Sequence, residues 1–484
     1  MQNKTIDYKN YFKNKKITVM GLGILGRGLG YTKFLAECGA ILTVTDLKTK
    51  EQLQTSIKEL EKYIKPAKGR AGIKFVLGEH RLEDFRNRDM IIKAAGVPLD
   101  SIYIKEAGKN NPRLGGASTP IEMDVSLFAK CAPEVTLVGV TGTRGKSMTT
   151  ALIYEILKKN EKFFPAKDGT RKPKIYLGGN VRGVATLPLL KKVKAGDILV
   201  CELDSWQLQG FGDAKVSPHI SVFTSFMPDH MNYYKNSMKD YLNDKINIFK
   251  YQKNEDILII RPDMKKLISK DVKSKLVVVN AKDVTNYKFI VPGEHQRENL
   301  ACAAEVAKQF KISESKIKKA VENFKGLEGR LQYVKTVKGV KIYNDNNATT
   351  PEATIAGIEA LTFPDTWCPG TRTPGVREEK HVILICGGSD KKLPLDNFIK
   401  AINKHCKAVF LIPGTGTDRL LSSSKVESYK VHKVKDLNEA VKNAQGEALR
   451  GDTILFSPAF ASFGMFNNEY ERNDLFMKIV KKLK

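Results

Sequence analysis

The sequence predicts an α/β protein of three domains, each built around a mostly parallel sheet. Three observations support this prediction. Apolar runs of four to seven residues alternate with longer amphipathic stretches, two glycine-rich turns each follow a strand-like run, and the 484 residues exceed the usual size of one domain. We expect domains at residues 1–110, 111–326 and 327–484, with boundaries placed to within several residues.

The strand-like runs follow one another as expected for βα units. In the first domain they cover residues 16–20 and 41–45, and the second run ends at Asp46. In the second domain they cover residues 135–140, 197–201 and 219–223, with a loop at 141–147. In the third domain, which begins near Arg330, they cover residues 340–343, 381–386, 408–412 and 453–456.

One segment is predicted to lack regular secondary structure. Residues 363–380 contain three prolines and two glycines between a predicted helix and a predicted strand. They predict a surface loop, with a substrate-facing lid as the alternative.

The composition excludes several classes of protein. Hydrophobic residues make up 42% and charged residues 28% of the chain, which is typical of a globular protein and too apolar for a disordered one. No run approaches the roughly 18 uncharged apolar residues that span a bilayer, and residues 1–16 lack the apolar core of a signal peptide. We therefore expect a cytoplasmic protein without membrane insertion.

The formal net charge is +28, from 81 lysines and arginines against 53 acidic residues. A basic protein of this kind often binds nucleic acid. Here the lysines are spread along the whole chain, and aromatic and basic residues are not concentrated together. We interpret the charge as a general surface property that helps attract an anionic substrate, and we expect no nucleic-acid partner.

The seven cysteines are odd in number and scattered, without a C-x-x-C pair. Their spacing argues against a zinc ribbon, an iron–sulfur site and a disulfide framework. We expect most of them to be buried as small hydrophobic residues. They are Cys38, Cys131, Cys201, Cys302, Cys368, Cys386 and Cys406.

The most specific motif is a strand that runs into a glycine-containing loop and then a helix, at residues 138–150. Such a loop directs backbone N–H groups at nucleotide phosphates, while Lys146 reaches the β and γ phosphates and Ser147 holds Mg²⁺. The first glycine of the usual G-x-x-x-x-G-K-[ST] pattern is missing, but Gly142 and Gly145 supply the flexible positions. The motif predicts binding of ATP or GTP, with a fortuitous turn as the alternative.

A second glycine cluster, residues 21–28, follows the first predicted strand, and Asp46 ends the next one. This arrangement is typical of a Rossmann-like fold, in which the glycines admit a pyrophosphate and the acidic residue hydrogen bonds a ribose or a base. It fits NAD, FAD or a UDP-sugar, and a tight turn without ligand is the alternative. Two nucleotide-type sites in one chain suggest that ATP is consumed on a substrate that is itself a nucleotide conjugate.

Two further residues follow predicted strands of the second domain. Glu202, at the carboxyl end of a strand, would face the phosphate loop and ligate Mg²⁺, with a charge at a helix N-terminus as the alternative. His230 follows another strand and is a candidate to bind a metal or a substrate oxygen. A lone histidine is nevertheless more often structural.

Together these motifs resemble the Mur ligase family, in the expected order and over nearly the whole chain. They are the phosphate loop, residues 202–207, 229–231 and 293–295, Asn299, Arg330, Asn344, Asp345 and residues 457–463. The resemblance implies an amino-terminal Rossmann-like domain, a central P-loop ATPase domain and a carboxy-terminal Rossmann-like α/β domain. It also implies an ATP-dependent amide-bond ligase of peptidoglycan precursor synthesis that acts as a monomer.

Within the family, two features resemble the enzymes that add D-glutamate to UDP-N-acetylmuramoyl-L-alanine. One is the amino-terminal glycine loop with Asp46. The other is the late segment 457–463, followed by Glu471 and Arg472. The resemblance therefore implies these two small molecules as substrates.

The resemblance implies a role for each matching residue. The uridine end of the sugar nucleotide would contact Ile24, Leu25, Asp46 and Gly96. ATP would contact Gly142, Thr143, Arg144, Gly145, Lys146, Ser147, Gln296, Asn299, Arg330 and Asp345. Asn180 and His230 would line the passage between the γ-phosphate and the acceptor. Glutamate would be surrounded by Thr349, Lys391, Ser462 and Phe463.

The resemblance also implies Mg²⁺, as two ions, at Ser147, Glu202, His230 and Lys245. Lys245 matches the lysine that becomes carbamylated in this family, which converts a cation that would repel Mg²⁺ into an anion that accompanies it. From the residue alone, Lys245 would be an exposed helix lysine. In the implied reaction the acceptor carboxylate attacks the γ-phosphate, and the amine of glutamate then displaces phosphate from the acyl phosphate. Closure of the third domain is expected to exclude water.

Four positions depart from the commoner family pattern. Asn347 stands where many relatives carry lysine, and Gln296 stands where many carry asparagine. Asp204 replaces a frequent serine and adds negative charge near the phosphates, with an outward-pointing residue as the alternative. Glu469 lies where an aromatic residue often helps to close the glutamate site.

Other functions stay open at this point. A sibling ligase would add L-glutamate or use another acceptor such as a folate, although a folate ligase would not need the amino-terminal glycine loop with Asp46. An NAD-binding oxidoreductase with an accessory NTPase domain would need an acid or base for hydride transfer near that loop, and no histidine or Tyr–Lys pair is evident there. A nucleic-acid-dependent ATPase is disfavoured by the spread of the lysines.

Overall fold

A computed structural model of the chain describes residues 6–65, 72–166, 171–268, 272–362, 381–423, 425, 427 and 431–483. The chain forms two compact units, which are described separately below. The first comprises Met1–Asn280 and Ala301–Ile317, and the second comprises Ala281–Leu300 and Lys318–Lys484. The loop predicted at residues 363–380, with Cys368, lies outside the described residues.

The first unit contains two parallel sheets, of which the amino-terminal one has five strands in the order β3-β2-β1-β4-β5. The strands are β1 (Lys16–Met20), β2 (Ile41–Asp46), β3 (Ile73–Leu77), β4 (Met90–Lys93) and β5 (Ile121–Glu122). The accompanying helices are α1 (Tyr8–Phe12), α2 (Arg27–Glu37), α3 (Gln54–Leu60), α4 (Ile102–Ala107) and α5 (Asp124–Cys131). The strand order reverses beside β1, so the loops after β1 and β4 flank the crevice where such sheets bind ligands.

The central sheet has six parallel strands in the order β11-β10-β9-β6-β8-β7. They are β6 (Thr136–Thr141), β7 (Ile175–Gly179), β8 (Ile198–Glu202), β9 (Ile220–Phe223), β10 (Ile257–Ile260) and β11 (Lys275–Val278). The helices are α6 (Lys146–Lys159), α7 (Ser205–Ala214), α8 (Met238–Ile246), α9 (Lys265–Ile268), α10 (Glu294–Gln309) and α11 (Glu314–Glu322), the last two contributing residues to both units. Every residue of β8 and β9 is buried, as expected for strands covered on both faces.

The second unit contains a six-stranded sheet in the order β12-β13-β17-β14-β15-β16. Its strands are β12 (Gln332–Val337), β13 (Val340–Asn344), β14 (Val382–Gly387), β15 (Cys406–Ile412), β16 (Val431–Lys433) and β17 (Thr453–Phe456). Its helices are α12 (Pro351–Thr362), α13 (Asp396–His405), α14 (Thr415–Leu421), α15 (Leu437–Glu447) and α16 (Glu469–Lys482). Strands β12 and β13 form an antiparallel hairpin whose two turn residues, Lys338 and Gly339, both have positive φ, as a type I′ turn requires.

Apolar packing joins the two sheets of the first unit. One continuous cluster includes Phe34 beside the amino-terminal sheet, Phe128 on α5 and Phe211 on α7. In the second unit, separate clusters contain Phe476 and Phe398. Within the described ranges, no helix combines the length and apolar character needed to cross a membrane. The six cysteines that the structure describes are all buried, as expected.

The predicted fold class is confirmed, because all strand pairs except β12–β13 are parallel. Strand limits differ from the prediction by at most two residues, and those of β1 and β17 agree with it. The predicted loop at 141–147 is shorter, because Thr141 ends β6 and α6 already begins at Lys146. The domain boundaries near residues 110 and 327 stay predictions.

Candidate active site

The phosphate loop joins β6 to α6 at the carboxyl edge of the central sheet. Gly142 has a φ of 145°, and a Cβ atom there would lie 2.1 Å from Thr224 Oγ1 and 2.8 Å from Ser225 N. Gly145, immediately before α6, has a φ of 87°. Glycine adopts such angles without a steric penalty, so both predicted glycines are required by the path of the loop.

Residues after β9 anchor this loop. The backbone N–H of Thr143 donates to Ser225 O at 2.7 Å, and that of Arg144 donates to Ser225 Oγ at 2.9 Å. The Thr143 hydroxyl lies 3.1 Å from Met227 O and 3.3 Å from the hydroxyl of Tyr241 on α8. These hydrogen bonds to neighbouring residues therefore fix the conformation of the loop.

Two lysines converge on the loop. Lys146 Nζ donates to the carbonyl oxygens of Gly142 and Thr143, each at 3.0 Å. Lys245 Nζ, in the last turn of α8, donates to Gly142 O at 2.8 Å. Lys245 is only 1% exposed, so its interpretation from the residue alone, as an exposed helix lysine, is wrong. Burial, assisted by the charge of Lys146, holds the pKa of Lys245 well below its usual value.

Glu202 and Asn180 lie at the same edge of the sheet. Glu202 is the last residue of β8, is 6% exposed and lies beside Val140 of β6. Its carbonyl oxygen accepts a hydrogen bond from Asn180 N at 2.7 Å. Gly179, the residue before Asn180, pairs with Glu202 across the sheet. It has a φ of 82°, and a Cβ atom there would lie 2.1 Å from Glu202 O. Glu202 thus ends the strand next to β6, and Asn180 directly follows β7 on the far side of β8.

His230 lies in the loop after β9, with a φ of 55°. Its ring centroid is 4.7 Å from that of Trp206, and its Nε2 atom is 3.8 Å from Asp229 Oδ2. Asp229 also pairs with Arg144 of the phosphate loop at 2.8 Å. Burial lowers the pKa of His230, which favours the neutral imidazole that binds metals or accepts hydrogen bonds.

The candidate Mg²⁺ ligands do not form a metal site by themselves. Across the part of the chain that the structure describes, no three or more His, Cys, Asp or Glu side chains gather into a metal site. Mg²⁺ is usually held by one or two carboxylates together with substrate phosphates and water. A buried carboxylate, Glu202, beside a phosphate loop that is followed by Ser147 in the first turn of α6 therefore fits an ion that binds together with a nucleotide.

Asp46 fixes the glycine loop after β1. Its Oδ2 atom accepts from Gly23 N at 2.8 Å, and its Oδ1 atom accepts from Lys48 N at 2.9 Å. At the tip of this loop Ile24 and Leu25 are 52% and 48% exposed. The structure brings these predicted acceptor contacts together in one loop.

Gly96 lies in the turn after β4, on the other side of the same crevice. The turn begins with a hydrogen bond from Ala94 N to Met20 O at 2.8 Å, so it is attached to the end of β1. A Cβ atom on Gly96 would meet no atom within 4 Å. The turn therefore leaves open space at this position.

In the second unit, Asp345 is buried just beyond β13. Its Oδ1 atom accepts from Leu331 N and its Oδ2 atom accepts from Ser457 Oγ, each at 2.9 Å. Burial raises the pKa of Asp345 to about 7, although these hydrogen bonds and the charge of Arg330 oppose the rise. Two further predicted ATP contacts pair with each other, since Asn299 Nδ2 donates to Gln296 Oε1 at 3.1 Å.

The residues predicted to surround glutamate lie at the carboxyl edge of the sheet in the second unit. Lys391 Nζ donates to Thr349 Oγ1 at 2.9 Å. The hydroxyl of Ser389 donates to the carbonyl oxygen of Phe463, next to the buried Ser462. The ring of Phe463 is 64% exposed. The structure thus brings all four predicted residues to the loops that follow β13, β14 and β17.

Sequence reasoning missed the structural roles of several residues that shape these sites. Asp204 is the N-cap of α7, where it accepts from Gln207 N at 2.8 Å and forms a reciprocal capping box with that residue. Its D-x-x-Q spacing was a readable signal. Arg27, at the start of α2, donates from Nη2 to Asn180 Oδ1 at 2.9 Å. This bond joins the helix after the β1 glycine loop to the central sheet. Nothing in the sequence marks Arg27 for this contact.

Arg472 was recognised in a motif but given no role. It is fully buried, and it donates to Asn346 Oδ1 at 2.8 Å and to Asn346 O at 2.9 Å. Asn347, which replaces a frequent lysine, donates its backbone N–H to Gly329 O at 2.9 Å. Arg472 therefore orders the segment between Asp345 and Thr349.

Two family models match the chain. The Mur ligase middle domain matches residues 140–286. The Mur ligase, glutamate ligase domain, matches residues 329–460. The first range contains the phosphate loop, Glu202, His230 and Lys245, and the second contains Arg330, Asp345 and Lys391.

Relatives match over their whole length, and each is a UDP-N-acetylmuramoylalanine–D-glutamate ligase by name. That of Roseiflexus sp. (strain RS-1) is 32% identical over 96% of this chain and 98% of its own. That of Borreliella afzelii (strain PKo) is 32% identical over 97% of this chain and 98% of its own. That of Clostridium botulinum (strain Kyoto / Type A2) is 31% identical over 100% of both chains.

Solved structures share the fold. The UDP-N-acetylmuramate-alanine ligase MurC from Thermotoga maritima superposes with a TM-score of 0.56 at 18% identity, over 97% of this chain and 100% of its own. The MurF ligase from the same organism, in complex with ADP, has a TM-score of 0.53 at 17% identity. The match covers 92% of this chain and 95% of the MurF chain. At these identities the similarity concerns the architecture alone.

Proposed function

The chain belongs to the Mur ligase family of ATP-dependent amide-bond-forming ligases, and on that premise we propose that it joins D-glutamate to UDP-N-acetylmuramoyl-L-alanine. The reaction converts ATP to ADP and phosphate and supplies a peptidoglycan precursor. Full-length similarity to D-glutamate ligases at 31–32% identity supports this pair of substrates. The proposal includes a cytoplasmic monomer, as the sequence resemblance implies.

The observation that carries the proposal is the convergence of Lys146 and Lys245 on Gly142 O, at the strand edge that also holds Glu202. Cations and a buried carboxylate around a loop of this kind suit a nucleotide with its magnesium ion. Asn180 and His230 lie at the same edge, where an acceptor carboxylate must approach the γ-phosphate. From the second unit, Gln296, Asn299, Arg330 and Asp345 stay proposed contacts to ATP.

The proposed reaction has two steps. A carboxylate oxygen of the alanyl group attacks the γ-phosphorus, the bond to ADP breaks, and an acyl phosphate forms. The uncharged amine of glutamate then attacks the acyl carbon, and the tetrahedral intermediate loses phosphate and a proton to give the amide. Lys146 neutralises negative charge that is spread over the phosphoryl oxygens during transfer. The fixed loop holds the reactants in position, which is the main contribution of a protein to such transfers.

When bound, Mg²⁺ would neutralise phosphate charge and polarise the γ-phosphoryl group. Ser147, Glu202 and His230 would hold it, together with Lys245 as a carbamate. The burial of Lys245 supports this modification, because its lowered pKa favours the uncharged amine that adds to CO₂. The carbamate would carry negative charge where the amine now donates to Gly142 O.

Thr349, Lys391, Ser462 and Phe463 are the proposed glutamate contacts. The ammonium of Lys391, held by the Thr349 hydroxyl, suits a dicarboxylate as a point cation. Ser462 supplies a small polar side chain, and the exposed ring of Phe463 supplies an apolar wall. These residue types select a glutamate side chain, whereas the choice between its enantiomers is left to the assay below.

Phosphate release from ATP and Mg²⁺ tests the proposal directly. The purified full chain is given UDP-N-acetylmuramoyl-L-alanine with D-glutamate, L-glutamate or no amino acid. We expect release that requires both the sugar nucleotide and D-glutamate, and that the variant Lys146→Met nearly abolishes. A preference for L-glutamate would move the chain to a sibling ligase, and no release from protein that binds ATP would exclude this acceptor.

A further inference from the structure

A buried lysine lies outside the residues that the proposed reaction uses. Lys93 ends β4 and is 2% exposed. Its Nζ atom donates to Val97 O at 3.0 Å and to Gln209 Oε1 at 3.3 Å. Burial lowers the pKa of Lys93 to about 8, against the attraction of three aspartates on the central domain. A lysine this deeply buried is retained only where its donors are satisfied.

Gln209, on α7, is the centre of the surrounding network and is 6% exposed. Its Nε2 atom donates to Asp244 Oδ2 at 2.8 Å and to the hydroxyl of Tyr233 at 3.1 Å. The hydroxyl of Tyr234 donates to the same Asp244 oxygen at 2.9 Å. A buried polar network with its members paired is a rigid element of a fold.

One end of this network reaches the turn that carries Gly96. The turn is closed by a hydrogen bond from Val97 N to Ala94 O at 3.1 Å, and Lys93 Nζ donates a second hydrogen bond to Val97 O. Gln209 also holds the hydroxyl of Tyr233, at 3.1 Å. Lys93 therefore ties the turn to Gln209.

The other end reaches the phosphate loop. Asp244 immediately precedes Lys245 in the last turn of α8, and Lys245 Nζ is bonded to Gly142 O at 2.8 Å. Asp244 faces Gln209 and Tyr234, while Lys245 faces the loop. The last turn of α8 is thus bound on one side to the network and on the other to the phosphate loop.

We propose that Lys93 is a positioning residue, which holds the 94–98 turn at a fixed distance from the phosphate loop through Gln209 and Asp244. The inference rests on the proposed function, because the turn is the proposed acceptor contact. The acceptor carboxylate must meet the γ-phosphorus at bonding distance, and misplacement by about 1 Å costs orders of magnitude in rate. A rigid tie between the two sites meets this requirement.

The first test compares Lys93→Met with Lys235→Met. Methionine keeps the length of the side chain and removes its donors. We therefore expect kcat/KM for UDP-N-acetylmuramoyl-L-alanine to fall about tenfold or more, while the KM for ATP stays within about twofold. Lys235 is the matched control, because its bond to Asp100 at 2.7 Å also joins this region to the central domain but is exposed to solvent. Lys235→Met should change neither constant.

Tyr233→Phe provides a second variant that removes a single hydroxyl and so preserves the fold if Lys93→Met does not. We expect it to raise the acceptor KM about threefold. In the double variant the two effects should not multiply, because both residues act through Gln209.

Two outcomes would overturn the inference. One is an unchanged kcat/KM for the acceptor in both single variants. The other is a loss of kcat that follows the loss of thermal stability and disappears at a lower assay temperature, with all KM values unchanged, which indicates a merely structural role. A wild-type enzyme without turnover would count against the proposed function, and calorimetric binding of the sugar nucleotide would then decide on Lys93 by the same comparison.

Discussion

The Nζ atom of Lys245 lies 2.8 Å from the carbonyl oxygen of Gly142, a residue 103 positions earlier in the chain. The contact places an amine inside the phosphate loop, at a position that is 1% exposed. A permanently charged ammonium there would oppose the binding of Mg²⁺. The charge of this one amine therefore decides whether the proposed Mg²⁺ can bind beside the loop.

Replacing Lys245 with alanine should lower kcat by about 100-fold or more, since the site loses the proposed carbamate anion. Acetate should restore part of this activity, because a small carboxylate fits the space that the side chain leaves. With ¹³C-labelled bicarbonate, the wild type should give a carbamate carbon signal in its NMR spectrum that Lys245→Ala lacks. Lys250→Ala, an exposed neighbour, should keep both the signal and the activity. A wild-type spectrum without the signal would rule out the carbamate.

Gly142→Ala should damage the phosphate loop. The new Cβ atom would lie 2.1 Å from Thr224 Oγ1 and 2.8 Å from Ser225 N, and the backbone has a φ of 145°. We expect a loss of about 1–3 kcal/mol in stability and at least about tenfold weaker ATP binding, measured by thermal unfolding and calorimetry.

The matched control for this variant is Gly446→Ala on α15, where a Cβ atom meets nothing within 4 Å. It should stabilise the protein by about 0.5–1 kcal/mol, because alanine is the better helix residue. Normal ATP binding by Gly142→Ala would show that the loop does not hold the nucleotide.

The sequence predicted the elements of the loop because apolar strands and positive-φ glycines leave local patterns. It did not predict the burial of Lys245 from the residue itself. Tyr241 and Lys245 are the buried residues of α8 and lie one helical turn apart. A lysine on a helix is predicted to be solvent-exposed unless the element that packs against it is known. Lys93 escaped notice for the same reason, since its partner Gln209 is 116 residues away.

The capping box of Asp204 and Gln207 was readable, because its two residues lie within four positions. The bond between Arg27 and Asn180 was not, because it joins residues 153 positions apart. Local patterns thus predict loops and helix ends, whereas contacts between distant segments depend on the packing of the sheets.

Lys391→Met should raise the KM for D-glutamate by about tenfold or more and leave the KM for ATP unchanged. The reason is the loss of the cation that Thr349 holds at 2.9 Å. The wild type should also prefer D-glutamate to D-glutamine, whose side chain is uncharged, and Lys391→Met should lose that preference. Lys404→Met, at an exposed position on α13, is the control. Equal selectivity in wild type and Lys391→Met would place the side-chain contact elsewhere.

Asp345 predicts a dependence of stability on pH. Burial raises its pKa from 3.8 to about 7, so the folded protein holds a proton that the unfolded chain releases at lower pH. The stability that this proton provides is fully present below about pH 4 and is lost as the pH rises through about 7. Thermal unfolding of the second unit should therefore move to lower temperature between pH 5 and pH 8 in part because of Asp345.

Asp345→Asn isolates this contribution. The amide oxygen can still accept from Leu331 N, and its NH₂ group can donate to Ser457 Oγ, whose own proton then goes to Thr354 Oγ1 at 2.9 Å. The variant should unfold at a temperature that depends less on pH than that of the wild type, with the largest gain at pH 8. Asp418→Asn, on the exposed side of α14, should follow the wild type. If Asp345→Asn keeps the full pH slope, the carboxyl group is already ionised in the folded protein, and its hydrogen bonds from Leu331 and Ser457 outweigh its burial.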